Sequence, residues 1–187
     1  MIEIITDHIA KEIKNYLGVV VSPDDAEKVY AGSLFDLNGG INPDSQEKLI
    51  ISLVNIEQDK TYHSVNIYKK KEGGKNEFVQ PEVKINLYFL FAANFSKNET
   101  ALKFLSKVIA FFQHRRSFDI LEESSSKTAV HVVFEMVSMS FEQQNHLWGM
   151  LGGKYMPSVM YKAGIIDIQD EQVKAEIPSV ETLEINE

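Results

Sequence analysis

An α+β fold is what the residue pattern predicts: a mostly antiparallel or mixed sheet packed with about three helices in a single domain. Two observations lead there. Apolar residues recur at helical spacing in separate stretches, and between them lie short β-branched or aromatic runs, one of which alternates strictly. The order reads helix, strands, helix, strand, helix, strand, which is the pattern of helices packed on an antiparallel sheet. The 187 residues, 44% hydrophobic, suit one domain with a real core at the usual ~100–200 residues per domain.

Ile2, Ile5, Ile9, Ile13 and Tyr16–Leu17 keep helical spacing, so a first helix is expected over Ile2–Leu17, ending at Gly18. Val19 to Gly40 holds Pro23, Asp24, Asp25 and Asn38-Gly-Gly, and predicts turns around a short strand near Val29–Leu34. Leu49–Ile56 is short and β-branched and predicts a buried strand. Glu57 to Asn76, with Lys69–Lys71 and Gly73–Gly74, reads as a mobile hairpin or loop. After Pro81, residues Val83, Ile85, Leu87, Phe89 and Phe91 fall on one face of a strand, and Glu82, Lys84, Asn86, Tyr88 and Leu90 on the other. That alternation predicts one core face.

Ser96-Lys-Asn-Glu99 has the spacing of a capping box before a helix whose stripe is Ala101, Leu102, Leu105, Val108, Ile109 and Phe112, ending near His114–Arg116. Ala129–Val137 predicts a further strand. Ser140-Phe-Glu-Gln143 repeats the capping pattern, opening a short helix with Leu147, Trp148 and Leu151 that Gly152–Gly153 stops. Pro157 leads a last strand, Val159–Ile168. The expected organisation is one domain over 1–168 and an acidic C-terminal arm of weak intrinsic structure over 169–187.

Charge and composition narrow the function. The net charge is −8, and Asp170–Glu187 alone carries −5, leaving −3 for the rest. DNA affinity needs a dense cationic face, so nucleic-acid binding is not expected. The N-terminus has no basic region, and the longest apolar stretch, Leu87–Ala93, is far below the ~20 residues that span a bilayer. A soluble protein made in the cytoplasm, with no membrane insertion, is the expectation. Cysteine is absent, which removes disulfides, thiolate metal sites and cysteine nucleophiles together.

No catalytic, cofactor-binding or metal site emerges, and the chain is not expected to be an enzyme. There is no G-x-S-x-G, and Ser124–Ser126 lies in a polar loop. His8, His63, His114, His131 and His146 form no H-x-x-x-H pair. His131 has the parity opposite to Val130, Val132 and Phe134, so it belongs on the less apolar face. Glu122–Glu123 reads as a solvated loop. Gly39–Gly40, Gly73–Gly74 and Gly152-Gly-Lys154 lack the strand-to-helix context of a phosphate cradle. Lys69–Lys71 fits either a solubilising tip or a contact with an acidic partner. The span Leu147–Lys162 is different. It gathers the only Trp, two Tyr, three Met and a Pro, and reads equally as a packed helix-to-strand corner or as a protein contact.

That span, with Asn86-Leu-Tyr-Phe-Leu-Phe-Ala-Ala-Asn94 and a helix ending in Phe111-Phe-Gln113, resembles the cap, or tail-terminator, proteins of phage-tail-like contractile injection systems of the virulence-cassette and antifeeding-prophage type. Trp148, Gly152, Tyr155, Pro157, Ser158, Val159, Tyr161 and Lys162 fall in place in the last motif. The resemblance covers about Ile2–Ile168. It lacks the aromatic expected at Asn98–Thr100, and it leaves the acidic arm outside the pattern. It implies a tail-terminator-like structural subunit, needing no cofactor, that assembles as a homohexameric ring distal to the baseplate and ends tube and sheath polymerisation. Its partners would be itself and the sheath and inner-tube proteins of the particle. Trp148, Tyr155, Pro157, Tyr161 and Lys162 are then contact candidates. Ile177, Val180, Leu183 and Ile185, set among the acids of the arm, suit strand addition to a neighbour or to sheath; a tail that only aids solubility is the other reading of that arm. Alternatives for the whole chain are an assembly chaperone or adaptor of the same particle, or an unrelated small ligand-binding α+β domain with a cleft lined by His63, His114 or Glu122.

Overall fold

A computed structural model describes residues 1–36, 38–59, 68–70, 75–78, 84–121, 129–152, 154–165 and 175–178. In chain order these form α1 (Ile2–Val20), α2 (Pro23–Ala26), β1 (Val29–Ala31), a 3-10 turn (Pro43–Ser45), β2 (Lys48–Gln58), β3 (Tyr68–Lys70), β4 (Lys75–Phe78) and β5 (Ile85–Asn94). Then come α3 (Asn98–His114), β6 (Ser117–Leu121), β7 (Ala129–Val137), α4 (Phe141–Met150), β8 (Ser158–Ile165) and β9 (Ala175–Pro178).

Six strands make one mixed sheet in the order β1-β2-β5-β8-β7-β6. Only β1–β2 is parallel; the other pairs are antiparallel, with Phe89 opposite Leu53 on one side and Tyr161 on the other. The strands β3-β4-β9 form a separate small sheet. This is the α+β architecture that the sequence predicts.

The first face of the main sheet buries the larger core. Ile5, Ile9, Ile13 and Leu17 of α1 and Phe104, Val108, Phe111 and Phe112 of α3 close over Leu49, Leu87, Phe89, Phe91, Phe118 and Phe134. Aromatic rings dominate: Phe112 lies 4.9 Å from Phe134 and 4.3 Å from Tyr161, centroid to centroid. Each such buried side chain contributes about 1.5–3 kcal/mol, so this layer carries most of the stability.

Several expectations need correction. The first helix runs through Gly18 to Val20, because Gly18 lies against α2, with Ala26 Cβ 3.6 Å from where a Cβ would sit. Ser96 does not cap the next helix. Lys97 takes the cap position without a side-chain bond, while the Ser96 N–H donates to Glu47 Oε1 at 2.8 Å; the Ser96 side-chain bond first, and this backbone bond second, hold that carboxyl below its usual range. The buried stripe of α3 is Ala101, Phe104, Leu105, Val108, Phe111 and Phe112, and Leu102 and Ile109 are exposed. Phe104 and Phe111 bury more area than Leu102 and Ile109, and they set the roll of the helix.

β5 is buried on both faces in its second half, since Leu90 and Ala92 lie under α4. β6 was not expected; its signal is the alternation of Phe118 and Ile120 with Asp119. The strand after Pro157 is described over Ser158–Ile165, its expected continuation to Ile168 lies outside the described residues, and it is not the last, because β9 follows and pairs with β4. The polar stretch after Ile56 holds the end of β2 and the antiparallel β3–β4 pair. The expectations for Pro81, Val83, Gly73–Gly74, Glu122–Glu123 and Ser124–Ser126 lie outside the described residues.

Candidate protein-contact site

Among the described residues, α4 packs on the second face of the sheet beside Leu34 and Phe35. Its start is fixed by a capping box: Ser140 Oγ accepts from the Gln143 N–H at 3.2 Å, and Gln143 Oε1 accepts from the Ser140 N–H at 2.9 Å. Seven residues after Phe141, Trp148 points at the sheet and is 4% exposed, packed with Leu34, Ile50, Leu90, Ala92 and Met160. This second core is small and depends on one indole. The Trp148 Nε1–H is enclosed and has no hydrogen-bond acceptor among the described residues, and the same holds for Ser158 Oγ. At Gly152, φ is +73°, a left-handed conformation that ends the helix at low strain in glycine alone.

The motif residues divide by depth. Tyr161 is 3% exposed and sits in the main core against Phe91 and Phe112, where burial pushes its phenol pKa up. Pro157 is half-buried, and its carbonyl accepts from the Ala93 N–H at 2.9 Å, which starts β8 in register. Lys162 pairs with Glu135 at 2.9 Å on the open part of the second face; such exposed pairs contribute about 0–1 kcal/mol. Tyr155 is 61% exposed, with its ring edge-on to Trp148 at 5.9 Å. Of the five, Tyr155 offers the most surface to a partner. Ile177 lies in β9 opposite Asn76, and Val180, Leu183 and Ile185 lie outside the described residues.

Sequence reasoning missed the most exposed apolar groups on this side. Phe141 is 92% exposed at the first turn of α4, and Met150 is 70% exposed at its end. Met150 stands between two depressions. One, of ≈ 480 Å³, is lined by Tyr88, Val137, Met139, Leu147 and Met160. The other, of ≈ 630 Å³, is lined by Phe35, Asp36 and Leu151. The floor of the first is fixed by the Tyr88 hydroxyl, which donates to Glu57 Oε2 at 2.7 Å and is held above its usual pKa mainly by that bond. Unbranched Met side chains around a shallow apolar groove suit contact with a protein surface better than recognition of one small ligand. The usable signal was the weak amphipathicity of the α4 sequence, which leaves apolar residues off its buried face.

No group of three or more His, Asp or Glu among the described residues could hold a metal ion. His131 Nδ1 lies 2.7 Å from Asp119 Oδ1 in an exposed cross-strand pair, on the face that its parity predicts. His114 and His146 are exposed, and His8 packs on Phe118; His63 and Glu122 lie outside the described residues. At Gly39–Gly40 the turn amides are already taken, because Asp36 Oδ1 accepts from the N–H groups of Asn38 and Gly40 at 2.8 Å each. No helix among the described residues is long and apolar enough to cross a membrane.

Comparison with known proteins follows the same direction. No curated protein sequence matches the chain. Its fold is similar to that of the anti-feeding prophage cap, described as a tube-terminating cap, with TM-score 0.61, 16% identity, 95% of this chain covered and 60% of that one. It is also similar to the PVC sheath/tube terminator of an extracellular contractile injection system in its extended state, with TM-score 0.57, 14% identity, and 96% and 63% covered. The chain thus spans about three fifths of the length of these solved structures. The family model of the Pvc16 N-terminal domain matches residues 3–182. The chain therefore belongs to the Pvc16 N-terminal domain family.

Proposed function

We propose that this chain is the structural cap of a contractile injection system. Six copies form a ring at the end of the particle distal to the baseplate, where they end tube and sheath polymerisation. The carrying observation is the family match over 3–182, joined to a fold shared with two terminators. The chain acts without catalysis and without a cofactor, through surfaces. Residues 1–168 are the ring body and 169–187 an arm that engages neighbours. Assembly takes place in the cytoplasm, and the chain ends as a component of the particle.

The physical requirement is asymmetric. A terminator binds the last ring of a polymer with one surface and offers no equivalent surface beyond it, while neighbours within the ring meet through two different faces. Tyr155, Met150 and Phe141 are exposed apolar groups with the character of interface anchors. Lys162, at the edge of the same region, serves the polar rim. Trp148, Pro157 and Tyr161 act from beneath, by holding the corner that carries Tyr155.

Native mass across a concentration series tests the ring. Light scattering should resolve a species of six chains, either alone or once purified tube is added. A monomer under both conditions refutes it. An assembly chaperone of the same particle, by contrast, would bind tube or sheath subunits and be missing from purified particles.

A further inference from the structure

The small sheet has an unusual position in the chain. Ile85 stands opposite Gln58 on one side and Ile165 on the other. The connections from β2 to β3, from β4 to β5 and from β8 to β9 therefore all leave the same end of the main sheet. Among the described residues, β9 makes its ladder with β4, over Lys75↔Pro178, Asn76↔Ile177, Glu77↔Glu176 and Phe78↔Ala175. Strands of three and four residues make a sheet too small to stand by itself without a covered apolar face. Opening this ladder is cheap.

Two further features bear on which copy supplies β9. Charge is split between the two sides in sequence: Lys69, Lys70 and Lys75 belong to the β3–β4 pair, and the arm from Asp170 carries −5. The arm is therefore drawn to the basic hairpin of any copy. Reach is the second. The nine residues 166–174 between β8 and β9 span at most about 30 Å when extended. A 187-residue domain has a radius of gyration of about 16 Å, so touching copies have centres on the order of 30 Å apart. Pro178 lacks an N–H, which suits β9 to the role of a terminal, added strand rather than a template for further pairing.

We infer that in the assembled ring this ladder is exchanged: β9 of each copy adds to β4 of the next, in the register seen within one chain. This rests on the ring reading above. Exchange recovers the same hydrogen bonds, so its cost is small. Each copy donates one strand and receives one, which is a heterologous contact that closes a ring and leaves no β4 edge unfilled.

The chain has no cysteine, so engineered thiols report without competition. Residues directly opposite in an antiparallel pair lie within the Cα separation that a disulfide spans. Full-length Asn76→Cys and Ile177→Cys chains are mixed in equal amounts, assembled and oxidised. Exchange predicts covalent dimers at about a quarter of ring junctions, none with either variant alone, and a ladder reaching six chains for the double variant on a non-reducing gel. A ring in which the double variant runs as a monomer with a closed disulfide overturns exchange and leaves the ring reading intact. A chain that stays monomeric with an internal disulfide overturns both. Glu77→Cys with Glu176→Cys repeats the test one register step away. Absence of any disulfide in both pairs refutes the register itself.

Discussion

Replacing Trp148 tests whether the second face is a genuine, indole-dependent core. The side chain is 4% exposed among five other buried residues, under a ten-residue helix with no other fully buried anchor. Trp148→Ala removes the whole indole and leaves a cavity that Leu34, Leu90 and Met160 cannot fill, at a cost of about 3–5 kcal/mol. Against a total stability of about 5–15 kcal/mol that is a large fraction. At roughly 2–4 °C per kcal/mol for a chain of this size, the midpoint should fall by about 6–20 °C. Trp148→Phe isolates the polar contribution. The Nε1–H has no acceptor among the described residues, so its removal sacrifices no hydrogen bond there and ends the penalty of an enclosed, unpaired donor. Only lost contact area remains, about 1–2 kcal/mol. Thermal unfolding followed by circular dichroism, with urea titration for the free energies, measures both. If Trp148→Phe costs as much as Trp148→Ala, the indole N–H has a partner and this reasoning is wrong.

Three other outcomes follow from the same geometry. Asp25 bonds to Lys28 Nζ at 2.7 Å and lies 3.4 Å from Lys103 of α3, and the Lys28 bond leads the causes holding its carboxyl below 3.8. A depressed folded value contributes stability that is present above the unfolded pKa and lost as pH falls through the folded one. Asp25→Asn should therefore cost about 1 kcal/mol in urea unfolding at pH 7, discounted for two half-exposed lysines, and almost nothing near pH 2. Ser140→Ala removes one half of the α4 capping box and should cost about 0.5–2 kcal/mol by the same titration; no change would mean that the box contributes nothing. Phe141→Ser and Met150→Ser, at 92% and 70% exposure, should leave stability within about 0.5 kcal/mol yet weaken self-association or tube binding by tenfold or more in light scattering, and unchanged association would remove α4 from the contact surface.

Legibility in the sequence followed the strength of local physics. The α1 stripe, the β5 alternation over Ile85–Phe89 and the Ser140 capping box are each set by neighbours within a few residues, and each stands in the structure. What failed was decided at long range. Ser96 has the spacing of a cap, but Glu47, far away in sequence, takes its N–H. Leu102 fits the helical stripe, but the larger Phe104 and Phe111 turn the helix away from it. Leu90 reads as solvent-facing until α4 covers it. The contact candidates were legible only as a cluster: composition marked the Trp148–Lys162 corner, and only tertiary packing separates exposed Tyr155 from buried Tyr161. Phe141 was hidden because a residue beside an N-cap looks the same in sequence whether it is covered or bare.

The cap reading is tested most directly on tubes. Purified inner-tube protein is polymerised with and without the gold-labelled chain, and its length and ends are scored by negative-stain electron microscopy. The account predicts label at one end only, and growth arrested at that end. Label along the tube wall, or tubes that lengthen as they do without the chain, would contradict it.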